Sequence, residues 1–345
     1  MKKPLISVSI PVFNGEKYIR DCVVSVLTQS EQKFEILILD NCSTDRSSEI
    51  CNEFADPRIR ILKNTHNVGS IENFCRCIQN ATGEFFVLLP CDDLLEKDYL
   101  KLLSQGLIDH PSAGIAYGST IQIDSQGERI RTNLVIQEDG FLDREKAVRM
   151  IAEKFNPIQH PMVRLENFSE IGQFDKLLGC FCDIHLWSKV LFGGWNAYVV
   201  SKPLTAIRCH EGQGQSLFRQ NTKDNLKKLS GHYGQALTPT FYKKNHFNLL
   251  FFNFVHFFNS HMDMMLGTRN DLKNVMISHL VVSHLSNVYF SIRHANFPSL
   301  ASEAALSLKL MKLYGPARML QVYFSAIVSF MRKAFSLLTF NERSV

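Results

Sequence analysis

Two long apolar runs, each stopped by acid, limit what this chain can fold into more than any other feature. The first, FEILILDN, closes on Asp40 and Asn41; the second, GEFFVLLPCDD, closes on Asp92 and Asp93. A continuous apolar run of this length reads as a strand covered on both faces, and such strands belong to parallel sheets flanked by helices. Carboxylates at the carboxyl ends of such strands stand where open α/β sheets bind ligands. Two strands that deliver acid to one edge suggest a site for something that needs both hydrogen-bond acceptors and a cation.

The spacing of the first half predicts alternating strands and helices. Leu5 to Pro11 reads as a strand. Tyr18, Ile19, Cys22, Val23, Val26 and Leu27 share one face of a helix within 16–28. Phe34 to Asp40 is the second strand. Ser43-Thr44-Asp45 starts a helix that Pro57 ends, and Asp45 reads better as its cap than as a ligand. Arg58 to Leu62 is a third strand, Asn67-Val68-Gly69 a turn, Ser70 to Asn80 a helix and Glu84 to Leu89 a fourth strand. A helix over 96–108 and a strand over 114–123 follow. This is the pattern of β-α-β units in a mostly parallel sheet. Right-handed crossovers place Asp40 and the Asp92–Asp93 pair on one edge. No G-x-G-x-x-G follows the first strand and no Walker A sequence occurs, which argues against dinucleotide and P-loop folds.

Beyond Ile123 the pattern loosens. A helix is predicted over 143–154, irregular chain over 156–179 with one short strand at Pro161 to Leu165, a helix over 183–190, and two short strands, Tyr198 to Val200 and Leu204 to Arg208. From about Asn221 the chain turns helical and rich in Phe, Leu, Met and His. The boundaries drawn are therefore 1–218, with halves 1–123 and 124–218, and a helical region over 219–345. A chain of 345 residues, 45% hydrophobic, can bury a core of that size. Its net charge of +5 suits anionic substrates or an anionic membrane face and is too small to argue for nucleic acid. The nine cysteines lack zinc-type C-x-x-C spacing and read as reduced thiols of a cytoplasmic protein. The apolar start is cut short by Pro11, Asn14 and Gly15, so it reads as a strand and not a signal peptide. No stretch reads as a bilayer span.

Several segments together resemble the family 2 glycosyltransferases. They are Pro11-Val12-Phe13-Asn14, Ser25-Val26-Leu27-Thr28-Gln29, Asp40-Asn41-Cys42-Ser43-Thr44-Asp45, Asn67-Val68-Gly69 with Asn73, and Gly83-Glu84-Phe85-Phe86, in the family's order and spacing. The resemblance runs from about Ser7 to Ser216. It implies a GT-A fold, a Rossmann-like α/β arrangement of a mostly parallel sheet with flanking helices, here with an α-helical C-terminal subdomain. It also implies an inverting transfer of a hexosyl group from a nucleotide-sugar donor to a glycan or lipid-linked acceptor. Surface polysaccharide or lipopolysaccharide assembly would be the setting.

The resemblance assigns residues too. Pro11, Phe13, Asn14, Asp40, Asn41 and Asn73 would surround the donor nucleotide, with Phe13 against the base and Asp40 and Asn41 bonding base and ribose. Glu16 would touch the donor or simply favour the first helical turn. Asp93 would ligate Mn²⁺ or Mg²⁺ and Asp92 would bond the ribose or orient ligands. Pro90 stands where the family usually has a first acid. Gly172-Gln173-Phe174-Asp175 and Cys182-Asp183-Ile184-His185-Leu186 match the acceptor-side motifs, with Cys182 in place of the usual Glu. Asp183 would be the base, with a helix cap as its rival role; His185 reads as bland. Arg208 or His210, in an Arg-x-His segment, would reach the diphosphate or metal. The helices after 219 would pack on the core or lie on the inner face of the cytoplasmic membrane. The alternatives are a donor-binding protein that has lost catalysis and a membrane-docked assembly partner.

Overall fold

A computed structural model describes residues 5–134, 136–154, 158–175 and 182–210. The region expected to be helical after 219, and its membrane-surface reading, lie outside the described residues. Strand β1 (Ile6–Val12) leads to helix α1 (Ile19–Leu27), β2 (Phe34–Asp40), α2 (Ser47–Asn52), β3 (Ile59–Lys63), α3 (Ser70–Asn80) and β4 (Phe85–Leu88). Then come β5 (Leu94–Leu95), α4 (Tyr99–Asp109), β6 (Ala113–Ile123), β7 (Arg129–Asn133) and β8 (Gly140–Leu142). The described chain closes with α5 (Arg144–Lys154), β9 (Met162–Arg164), α6 (Asn167–Ile171), α7 (Cys182–Phe192) and β10 (Asn196–Arg208).

All ten strands join one sheet in the order β3-β2-β1-β4-β9-β6-β10-β5, with β7 against β6 and β8 against β10. The pairs β3–β2, β2–β1, β1–β4 and β6–β10 are parallel. Strand β9 runs antiparallel to both β4 and β6, so those two point the same way. Every residue of β1 and β2 is buried, which is why both sequences are apolar without alternation. Helix α3 covers β1 and β2; α4 covers β6 and β10.

Two side chains of the Ser-x-x-x-Gln motif hold the layers in register. Ser25 Oγ accepts the Leu95 N–H, and Gln29 donates from Nε2 to Glu96 O (2.8 Å) while its Oε1 accepts the Leu100 N–H (2.9 Å). The end of α1 thereby fixes where the chain runs immediately after Asp93. The two short strands expected at Tyr198 to Val200 and Leu204 to Arg208 are one: β10 is continuous from Asn196 to Arg208, but its register against β6 slips at Val200–Pro203 and Pro203–Thr205. Pro203 cannot donate to the ladder there.

The amino end of the sheet carries a buried carboxylate. Glu35 Oε1 accepts from Ser7 Oγ (2.6 Å), Thr82 N–H (2.9 Å) and Thr82 Oγ1 (2.7 Å), and Oε2 pairs with Arg60 (2.5 Å). These contacts tie β1, β2, β3 and the turn before β4 together. Burial pushes the Glu35 pKa up, but the donors from Ser7, Thr82 and Arg60 outweigh it and hold the carboxyl below its usual range. A depressed folded pKa stabilises above the unfolded value of about 4.3 and loses that contribution as pH falls through the folded value. Glu35→Gln should therefore cost roughly 2 kcal/mol at pH 7. Urea denaturation should show the gap to wild type closing between about pH 5 and pH 3; a constant gap would mean that the charge of Glu35 contributes nothing.

Candidate active site

The carboxyl edge of the parallel strands gathers four loops: after β1, after β2, after β3 and after β4. The first two are laced by reciprocal bonds. Asn14 donates its N–H to Ser43 Oγ, and its Oδ1 accepts the Thr44 N–H (2.9 Å). Glu16 N–H donates to Asp45 Oδ2, while Glu16 Oε2 accepts the Arg46 N–H, both at 3.0 Å. Asp45 Oδ1 also accepts the Ser47 N–H at the start of α2, although the N-cap position itself, expected to be Asp45, is Arg46. Asn14 has φ +52, a left-handed conformation that Asn tolerates better than most side chains. Beside it, a Cβ on Gly15 would stand 2.8 Å from Cys91 Sγ, so only glycine lets the β1 loop come this close to the β4 loop.

Asp40 ends β2 at 1% exposure. Its Oδ1 accepts the Ser43 N–H (2.9 Å); its Oδ2 is buried without a hydrogen bond, with Lys63 Nζ at 3.5 Å. Asn41 faces a lattice of amides instead. Its Oδ1 accepts from Asn64 Nδ2 and the Val68 N–H, and its Nδ2 donates to Asn67 Oδ1, all at 2.9 Å. Asn73 Oδ1 accepts from Asn64 Nδ2, Asn73 Nδ2 donates to Leu39 O, and Arg76 donates to Asn64 Oδ1. The lattice positions the loop after β3, where Gly69 takes φ +88 to start α3. Asn67 Nδ2 is buried there without a partner. Pro11 is buried within β1, and Phe13 is half-buried at its end.

The loop after β4 holds the acids. A turn closes as the Asp93 N–H donates to Pro90 O (3.1 Å). Asp92 Oδ2 lies 3.0 Å from His210 Nε2, both side chains partly exposed. Asp93 is buried at 3%, and both its oxygens are engaged: Oδ1 accepts the Arg208 N–H (2.8 Å), and Oδ2 pairs with His160 Nε2 (2.7 Å). Burial and the neighbouring Asp92 push the Asp93 pKa up, while His160 pulls it down. Burial works against an imidazolium at His160, but the carboxylates of Asp93, Asp92 and Asp183 outweigh it and raise its pKa. Cys91 is held as a neutral thiol by burial and the two adjacent acids.

Arg208, expected to face a diphosphate, is 1% exposed and turned inward. Its Nε donates to Asp92 O (2.9 Å) and Nη1 to Asp124 O (3.3 Å), and the guanidinium stacks 4.6 Å from the centre of the Tyr18 ring. Tyr18 in turn packs against His210, with ring centroids 4.9 Å apart. Asp183, half-buried at the start of α7, accepts the Ile184 N–H (2.6 Å), and burial raises its pKa. Its charge is the smallest of those that raise the His160 pKa. His185 is buried. Among the described residues no three or more His, Cys, Asp or Glu side chains form a ready-made metal cluster, and eight cysteines are free thiols. The sequence gives no warning of His160. Its partner is 67 residues away, and a lone His-Pro before a short strand carries no spacing signal.

Residues 7–172 match the family described as "Glycosyl transferase family 2". Over 221 residues, 60% of this chain, the sequence is 35% identical to Glycosyltransferase GlyA of Streptococcus pneumoniae; the match spans about a third of GlyA's length (31%). The fold is similar to that of S. aureus TarS 1-349 in complex with UDP-GlcNAc, with a TM-score of 0.57 and 16% identity over 95% of this chain and 92% of that one. It is also similar to the mannosyltransferase PcManGT from Pyrobaculum calidifontis in complex with GDP-Man and Mn²⁺, with a TM-score of 0.52 and 15% identity over 98% of this chain and 84% of that one. Residues 7–172, the domain that begins at β1, form a family 2 glycosyltransferase domain with the GT-A fold.

Proposed function

We propose that this chain transfers a sugar from a nucleoside diphosphate donor to an acceptor hydroxyl, with inversion at the anomeric carbon. The observation that carries this reading is the Asp92–His210 pair. It stands at the sheet edge, partly exposed, with Asp92 on a loop whose other acid is buried and fully bonded. The open Oδ2 of Asp40 can accept a ring N–H of the base, with Phe13 against the ring and Pro11 and Asn14 shaping the pocket. Asn41 and Asn73 act through the amide lattice that sets the loop after β3, and Glu16 acts by bonding the β2 loop.

The acids fit a hard cation in a different way from the sequence reading. Asp93 is buried with both oxygens bonded, whereas Asp92 and His210 are partly exposed and hydrogen-bonded to one another at 3.0 Å. With that hydrogen bond displaced, the two side chains would hold Mn²⁺ or Mg²⁺, whose hard character suits a carboxylate oxygen. When bound, such an ion neutralises charge on the departing diphosphate. Asp183 takes the proton from the acceptor hydroxyl as its oxygen bonds to the anomeric carbon and the bond to the diphosphate breaks on the opposite face, the electron pair leaving with phosphate. Its burial-raised pKa favours holding that proton. Arg208 serves by positioning the β4 loop from below. The family resemblance supports a surface polysaccharide or lipopolysaccharide setting with a glycan or lipid-linked acceptor. Among the described residues, no helix is long and apolar enough to cross a membrane.

Pro90 and Cys182, in positions where the family usually has acids, favour a second reading: a donor-binding protein without turnover. One set of variants separates the two. Asp183→Asn should lower the rate of transfer or donor hydrolysis at least 100-fold and leave donor affinity, read by calorimetry, within about threefold. Equal rates in the variant and wild type would remove Asp183 from the mechanism, and donor binding without turnover in either would favour the second reading. Asp92→Ala and His210→Ala should each weaken Mn²⁺-dependent donor binding tenfold or more, while Mn²⁺-independent binding changes little. Arg208→Met leaves the carbonyls of Asp92 and Asp124 unpaired and should cost roughly 3 kcal/mol in urea denaturation. A loss below about 0.5 kcal/mol would show that the buried guanidinium is not holding the loop.

A further inference from the structure

We propose that His160 is a positioning residue that locks the β4 loop in the form that presents Asp92 and His210. The inference rests on the metal assignment made above and adds a residue that lies outside the motifs of the sequence.

Three observations carry it. First, Asp93 is a buried carboxylate, and among the described residues two groups bond its oxygens: the Arg208 N–H on Oδ1 and His160 Nε2 on Oδ2. Without the imidazole, one oxygen of a buried carboxylate would lack a donor, and the loop would have to turn it toward water. Asp92, its neighbour in the chain, would move with it.

Second, His160 holds a backbone conformation that it would not choose freely. Its φ is +44, in the left-handed region, although it is not glycine and precedes Pro161, a place that favours extended backbone. Such a residue persists only where its surroundings over-determine it, and these clusters occur at functional sites. Here the surroundings are visible: Tyr99, fully buried in α4, donates its hydroxyl to the His160 carbonyl at 2.6 Å. The carbonyl is tied to α4 and the ring to the β4 loop, so the bend between them aims Nε2 at Asp93.

Third, the residue sits where the two halves of the sheet join. It lies just before β9, the strand between β4 and β6, and the charges of Asp92 and Asp183 both act on it. His160 thus fixes the donor-side acids relative to the acceptor side without touching either substrate.

The experiment compares His160→Leu, which removes the donor, with His160→Gln, whose amide N–H can still reach Asp93. Tyr99→Phe frees the His160 carbonyl and serves if the leucine variant does not fold, as judged by circular dichroism. Mn²⁺ binding in the presence of UDP is read by loss of the free-ion EPR signal, and donor hydrolysis is split into kcat and KM. His160→Leu should weaken Mn²⁺ binding at least tenfold, Tyr99→Phe should shift it in the same direction, and His160→Gln should stay within about threefold of wild type. Wild-type Mn²⁺ affinity in a folded His160→Leu or Tyr99→Phe protein would overturn the inference, as would a glutamine variant as weak as the leucine one. If wild type itself takes up no Mn²⁺ with UDP, the Asp92–His210 assignment falls, and this inference with it.

Discussion

The site hangs on the last turn of β10. Arg208 ends that strand; its N–H bonds Asp93, its Nε bonds Asp92 O and its Nη1 bonds Asp124 O. Those three partners come from the end of β4's loop and the end of β6, elements that share no short connection. An arginine can do this because its planar group offers several donors in fixed directions, and because stacking on Tyr18 compensates for lost hydration on one face. A lysine ammonium could satisfy one or two of these carbonyls but would leave the Tyr18 face unfilled. The buried guanidinium is therefore the point at which the second half of the sheet dictates the geometry of the first.

Buried polar groups follow a common rule in this fold, and its exceptions are informative. Glu35 at the amino end is bonded through both oxygens, so it fastens strands and leaves nothing for a ligand. Asp40, at the opposite end of the same strand, is as deeply buried yet leaves Oδ2 without a hydrogen bond. A buried acceptor left open is costly unless something fills it. With only the longer Lys63 contact at 3.5 Å on that oxygen, the contrast within one strand is what the proposed donor-binding role of Asp40 rests on. Ser9 and Thr205 also have unpaired hydroxyls, but these are neutral groups within strands, where the cost is smaller.

Burial on both faces made β1, β2 and β4 easy to read, and regular spacing did the same for α1, α3 and α4; Phe34–Asp40 and Ser70–Asn80 match their expected limits. What escaped was structure whose cause lies elsewhere in the chain. The strands β5, β7 and β8 have two, five and three residues, and β7 is almost wholly exposed, so none carries a period of its own. They exist because β6 and β10 offer paired edges. The candidate site divides in the same way. Asp40, Asp92, Asp93 and His210 were visible as residue types at strand ends. Their division of labour was not, because it depends on His160 and on the inward turn of Arg208.

The proline at position 90 is consistent with this division of labour. The Pro90 carbonyl accepts the Asp93 N–H and the Cys22 thiol, so backbone alone shapes the turn that presents Asp92. A carboxylate at 90 would add a third negative group beside Asp92 and the buried Asp93, and like charges in so small a volume resist ionisation together. Cys91 is neutral for the same reason that an acid there would be costly. With Asp93 committed to Arg208 and His160, Asp92 is the outward carboxylate of the loop, and on the proposed reading the imidazole of His210, carried two residues beyond Arg208, would be the second ligand. The acid absent at Pro90 therefore takes no contact from the fold, and under the proposed assignment the groups offered to a cation would follow two strands, β4 and β10, that one buried arginine joins.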